Sequence, residues 1–151
     1  MTIADTNRPA LAPTATVARH PIHPMLVPFP IACFIGALIT DIAYWRTAEI
    51  MWADMSAWLL LVGLIMGVLA GLADFLGNRL IRSQTPAWPH MIGNLTALLL
   101  AVFNNTVHSR DAWTSVVPTG IILSLVTVLI LAITGWLGWA LVYRHGVGVA
   151  R

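Results

Sequence analysis

The sequence contains no lysine, one cysteine and few charged residues of either sign. It has eight arginines and six acidic residues, and charged residues make up 9% of the 151 positions. Soluble domains contain about 25% charged residues, so this composition does not suit a water-facing surface. The net charge of +2 is too small to indicate nucleic acid binding. Cys33 lies alone in an apolar run, which excludes a disulfide framework and a thiolate metal site.

The sequence is rich in long apolar runs, and 58% of its residues are hydrophobic. Four runs approach or exceed the roughly 20 residues that a membrane-spanning helix needs. They cover residues 25–45, 56–76, 88–107 and 116–143. We therefore predict an all-α integral membrane protein, a four-transmembrane-helix bundle in a single domain at residues 20–151. Residues 1–19 are polar, contain proline and have no apolar period, so we interpret them as a mobile cytoplasmic tail.

The arginines predict the orientation of the bundle. With four spans, six arginines fall on one side of the membrane and two, Arg46 and Arg110, fall on the other. Arginine and lysine accumulate in cytoplasmic loops, so both termini are expected in the cytoplasm. Gly63, Gly67 and Gly71 form a small-residue stripe on the second span, which predicts close helix packing. Gly135 and Gly138 suggest similar packing in the fourth span.

Polar residues inside or beside the hydrocarbon are costly and need a reason. Four of the five histidines fall at the cytoplasmic face in this topology, and we interpret the fifth, His108, as a solvated loop residue on the far side. His90 and Asn94 are four residues apart and so share one helix face. The cytoplasmic set of polar residues is His20, His23, Asp74, His90, Asn94, Arg144 and His145.

The first two histidines belong to a proline-rich segment, His20-Pro21-Ile22-His23-Pro24. Proline resists regular helix, so we expect these two imidazoles to be held in a fixed, non-helical geometry. Each residue of the cytoplasmic set also has a structural interpretation: a lone histidine can cap backbone amides, and Asp74 and Asn94 can join helices through hydrogen bonds.

Imidazole suits haem iron, copper and zinc. Haem in a helical bundle needs one or two axial histidines, an apolar slot and polar groups for its propionates. We predict haem b held by His23 and His90, with Asn94 and Asp74 orienting the imidazoles and Arg144 neutralising a propionate. His20 and His145 are expected to be alternative ligands or to support the ligands. The alternatives are a non-haem metal ion held by these histidines and Asp74, for transport or catalysis, and a structural or assembly subunit without a cofactor.

The chain resembles a family of small bacterial membrane proteins catalogued as domain of unknown function 2231. The resemblance begins with the segment from Arg19 to Pro30 and continues through Asp41, the Gly63 to Asp74 stretch, and His90 with Asn94. It ends with residues 135–149 and so covers about residues 19–149. The resemblance implies a bacterial inner-membrane location. Some relatives are similar over this region and fused to a Rieske-type iron–sulfur domain, which hints at electron transfer.

The sequence thus predicts a haem-binding electron-transfer protein that works with a separate redox protein or within a larger membrane complex, and that could form homo-oligomers. Nothing resembles a nucleophile elbow, a phosphate loop or a pair of catalytic carboxylates. We therefore do not expect this chain to be an enzyme by itself.

Overall fold

The computed structural model describes residues 16–17, 20–77, 88–110 and 116–145. The described part is almost entirely helical. Strands β1 (Thr16–Val17) and β2 (His20–Pro21) form a short antiparallel pair. The helices are α1 (Ile22–Leu26), α2 (Pro28–Thr47), α3 (Ile50–Gly77), α4 (Trp88–His108) and α5 (Ile121–His145). A turn at Val116–Gly120, which contains a cis Val117–Pro118 peptide bond, leads into α5.

Proline and a left-handed residue set the limits of α2. Pro28 occupies the first position of the helix, where a missing N–H leaves no hydrogen bond unmade. At the other end Ala48 adopts a left-handed conformation with φ 56°, and its N–H donates to Tyr44 O at 2.8 Å. Only Ala48 and Glu49 separate α2 from α3, so the two helices form an antiparallel hairpin.

The four long helices form a closed ring, in which each packs on the next and α5 packs back on α2. The centre is filled by Phe34, Ala37, Leu60 and Ala101. Gly63 allows α2 to approach α3, because a Cβ at this position would lie 2.8 Å from Phe34 Cε1 and 3.0 Å from Cys33 Cβ. The predicted packing role is thus supported for Gly63. It is wrong for Gly71 and Gly135, where a Cβ would meet nothing within 4 Å.

Polarity is inverted relative to a soluble protein. The buried residues include Thr40, Asp41, Ser56, Asn104, His108, Ser124, Thr127 and Thr134. Large apolar side chains such as Ile39, Leu99 and Ile133 are instead at least 60% exposed. Lipid replaces water as the solvent of such a surface. Within the described residues, three helical stretches are long and apolar enough to cross a membrane, at Ile22–Thr47, Ile50–Leu76 and Val116–Ala140.

Helix α4 corresponds to the third predicted span but is not among those three stretches. Its 21 residues would extend about 31 Å, which is close to the thickness of the hydrocarbon core. Its average hydropathy is lowered by polar residues that point inward, including the buried Asn104 and His108.

Candidate functional site

His23 lies in α1, at one end of the bundle. Its Nδ1–H donates to the main-chain oxygen of Ala70 in α3 at 2.9 Å. This bond ties the segment before α2 to the second half of α3. It also leaves Nε2 as the ring nitrogen with a lone pair in the neutral imidazole. The expectation of a non-helical geometry is wrong for His23, because Ile22–Leu26 forms a short helix despite Pro24.

His90 lies in the first turn of α4 and faces α5. Its Nδ1–H donates to the main-chain oxygen of Thr134 at 2.8 Å. The side-chain amide of Asn94, one turn later, donates to His90 Nε2 at 3.0 Å. The two bonds together define a single neutral tautomer, with the proton on Nδ1. Gly138 makes room for the ring, since a Cβ there would lie 2.9 Å from His90 Cε1.

The two imidazoles meet between these helices. Their ring centroids are 6.4 Å apart and their planes are inclined at 81°. Each ring has its Nδ1 bound to a main-chain oxygen of a different helix, an arrangement that often orients histidine ligands of metals. The structure therefore brings together His23, His90 and Asn94, which the sequence grouped at this end.

The other predicted residues are described less fully. The side chains of His20, Arg144 and His145 lie outside the described part of the structure, so their predicted roles stay predictions. Asp74 is half-buried one helical turn after Ala70 and is engaged in an interaction of its own. Among the side chains that are described, no group of three or more His, Cys, Asp or Glu residues could hold a metal ion.

A second polar group lies at the opposite end of the bundle, and its burial and hydrogen bonding were not predicted from the sequence. His108 is 6% exposed and its Nε2 lies 2.8 Å from Asp41 Oδ1. The interpretation of His108 as a solvated loop residue is therefore wrong. Ser124 donates to the other carboxyl oxygen, Asp41 Oδ2, at 2.6 Å, and the Asn104 amide donates to Ser124 Oγ at 2.8 Å. We call Asp41, Asn104, His108 and Ser124 the Asp41 cluster.

The spacing of small and polar residues along α4 is a sequence signal for this cluster. Positions 90, 94, 97, 101, 104 and 108 repeat at intervals of four and three and carry His, Asn, Ala, Ala, Asn and His. Small and polar residues at this spacing indicate the face of a membrane helix that packs on other helices. The stripe passes through both polar ends, which places His108 on the same interior face as His90.

Comparison with known proteins agrees with the inverted polarity. Neither a curated protein nor a solved structure matches the chain. The profile of one family, described as predicted membrane protein (DUF2231), matches residues 19–151, most of the chain. The chain is therefore a membrane protein and belongs to the DUF2231 family.

Proposed function

We propose that this protein binds haem b through His23 and His90 and transfers electrons as a subunit or partner of a redox complex. The observation that carries the proposal is the pair of imidazoles, 6.4 Å apart, on two different helices. Haem in a helical bundle can be held by one or two histidines from facing segments, and His23 and His90 would be those residues.

The donor set favours haem over a bare metal ion. Haem would bring its own porphyrin ligands, so His23 and His90 alone would suffice to hold it. Zinc held by protein side chains alone needs three or four ligands, and the described side chains contain no such group. A non-haem metal would therefore depend on His20 and His145 in addition to the described pair.

Main-chain contacts position the two rings. The main-chain oxygens of Ala70 and Thr134 accept from Nδ1 of each ring, which orients the imidazoles with Nε2 as the nitrogen that could hold a metal. Gly138 places the backbone of α5 against the His90 ring. Asn94 donates to His90 Nε2, so its side chain would have to turn away for His90 to hold iron.

The proposed setting is the bacterial inner membrane, with α2, α3, α4 and α5 as four spans and both termini in the cytoplasm. The His23–His90 pair then lies toward the cytoplasmic side and the Asp41 cluster toward the outside. Six arginines on the side of the termini, against Arg46 and Arg110 on the other, support this orientation. An electron partner on the cytoplasmic side would be nearest to the pair.

The test is a reduced-minus-oxidised absorption spectrum of the purified protein, from cells supplied with haem precursor. We expect the bands of a low-spin b-type haem. His23→Ala and His90→Ala should each abolish or shift these bands, whereas His108→Gln, at the other end of α4, should leave them unchanged. His23→Met offers a sharper variant, because a thioether can ligate haem iron and raises its midpoint potential.

Three outcomes would contradict the haem proposal. Unchanged spectra in both alanine variants would move the ligands elsewhere. Stoichiometric metal without haem would favour the non-haem site. A purified protein with neither, whose alanine variants lose only thermal stability, would assign the histidines to helix packing.

A further inference from the structure

Hydrogen-bond donors and acceptors in the Asp41 cluster do not balance without an additional proton. His108 Nδ1 lies 3.0 Å from the main-chain oxygen of Asn104, which can only accept. Nδ1 must therefore carry a proton. His108 Nε2 lies 2.8 Å from Asp41 Oδ1, and these two atoms can bond only if one proton lies between them.

The position of that proton leaves two possible forms. In one, His108 is an imidazolium and Asp41 is a carboxylate. In the other, Asp41 is a carboxylic acid that donates to neutral His108. Both forms hold one proton and both are neutral as a pair. The second carboxyl oxygen does not change this conclusion, because Ser124 donates to Asp41 Oδ2.

Because the Asp41–His108 pair is buried, the number of protons that it holds determines whether a net charge is buried with it. Asp41 is fully buried and the Asp41 and His108 side chains have no exposed surface. Loss of the proton would leave a carboxylate facing an imidazole lone pair, and gain of a second proton would leave a buried cation. A net charge is costly in the membrane interior, so the pair is most stable with one proton.

Among the residues that the structure describes, few other titratable groups lie near the pair. Tyr44, on α2, is half-buried and has an interaction of its own. Arg46, Glu49, Asp54 and Arg110, at this end of the bundle, are exposed. Residues 121–140 of α5 contain no titratable side chain. The proton is therefore held by Asp41 and His108 together.

The cluster also lies close to water. His108 is the last residue of α4, and Asp41 is six residues before the end of α2, about 9 Å along the helix. Gly120, the last residue of the turn that leads into α5, packs against the His108 ring, since a Cβ there would lie 2.7 Å from His108 Cε1. The pair is thus buried but lies within about two helical turns of the end of the bundle.

We propose that Asp41 and His108 form a buried proton-binding site that exchanges one proton with the aqueous phase at the end of the bundle opposite to His23 and His90. The ligand is a proton, held between Asp41 Oδ1 and His108 Nε2. Release converts the neutral pair to a carboxylate and a neutral imidazole, and the proton passes to water. The site is independent of haem binding, since His90 and His108 are 18 residues apart, about 27 Å along α4.

Asp41→Asn is the decisive variant because it removes the proton without removing a hydrogen bond. The new amide can donate to His108 Nε2, and its oxygen can accept from Ser124. Neutral His108 then keeps its Nδ1–H bond to Asn104. The variant is expected to fold while its His108 neither binds nor releases a proton.

The experiment is nitrogen-15 NMR of the protein labelled in its histidine rings and reconstituted in lipid nanodiscs, as a function of pH. The His108 signals are assigned by their absence in His108→Gln. In the wild-type protein they should show one protonation step, with thermal stability falling as the pH rises through it. In Asp41→Asn this step should be lost, and the alkaline fall in stability with it.

Two results would overturn the proposal. One is a His108 signal that is independent of pH in the wild-type protein, which would make the pair a static link between α2 and α4. The other is the same protonation step in Asp41→Asn, which would separate the proton from the carboxyl group. If Asp41→Asn does not fold, loss of the alkaline fall in stability in His108→Gln supports the site and its persistence overturns it. Haem spectra play no part in either result.

Discussion

Single glycines in α3 differ in what surrounds them, although their spacing in the sequence is the same. Gly63 is buried against Phe34 and Cys33, and Gly67 faces the end of the flexible Leu98 side chain. Gly71 is exposed and meets nothing within 4 Å. Gly63 and Gly67 therefore lie at helix contacts, whereas Gly71 does not. Periodicity identifies a helix face, but it does not show where along the helix the neighbouring helix diverges.

This difference predicts that adding one methyl group affects the stability of the bundle differently at Gly63 and at Gly71. Gly63→Ala should destabilise the bundle by about 1–3 kcal/mol, because the new Cβ overlaps the Phe34 ring and the Cys33 Cβ, which lies close to the backbone. Gly71→Ala should be neutral or stabilise by up to about 1 kcal/mol, through the lower backbone entropy of alanine. Unfolding in mixed micelles measures both. Gly135→Ala, also in open space, is the matched control on α5, and equal losses at all three positions would contradict the assignment of contact faces.

Helix α4 shows how much of the fold the sequence could predict. Its bounds, Trp88–His108, agree with the predicted span to one residue, and the shared face of His90 and Asn94 follows from helical spacing. The environment of His108 could not be predicted in the same way, because its partner Asp41 is 67 residues away in the sequence. The meeting of His23 with His90 likewise depends on how α1 folds back on α3, which no local pattern specifies.

Substitutions on the outward face of α4 test whether this face contacts lipid or water. Leu99 is 62% exposed near the middle of the helix. If this face contacts lipid, Leu99→Lys should cost about 3 kcal/mol and reduce the amount of protein integrated in the membrane. If the face contacts water, the substitution should be nearly neutral. Leu99→Ala is the control for lost packing, and equal membrane levels of the two variants would argue against a lipid-facing α4.

The molecule buries polar residues together with small apolar ones and exposes many large apolar side chains. Ala37, Ala97 and Ala101 fill the tightest positions of the core with small side chains, which suits helices that associate by close backbone approach. The two polar groups, the His23–His90 pair and the Asp41 cluster, lie at opposite ends of the bundle. They are thus separated by about the length of α4.

The topology depends on whether α4 crosses the membrane. With four spans, a reporter inserted after Glu49 or Arg110 is external, and one in the segment from Asn78 to Ser83 or after Arg151 is cytoplasmic. With three spans and α4 held at the cytoplasmic side, Arg110 becomes cytoplasmic and Arg151 external.

We expect the four-span pattern, because α4 is about as long as the hydrocarbon core is thick and buries Asn104 and His108 against the other helices. Alkaline phosphatase and green fluorescent protein fusions at the four positions measure it, since the first is active only outside and the second fluoresces only inside. An external C-terminus would contradict the four-span topology and, with it, the assignment of the His23–His90 pair to the cytoplasmic side.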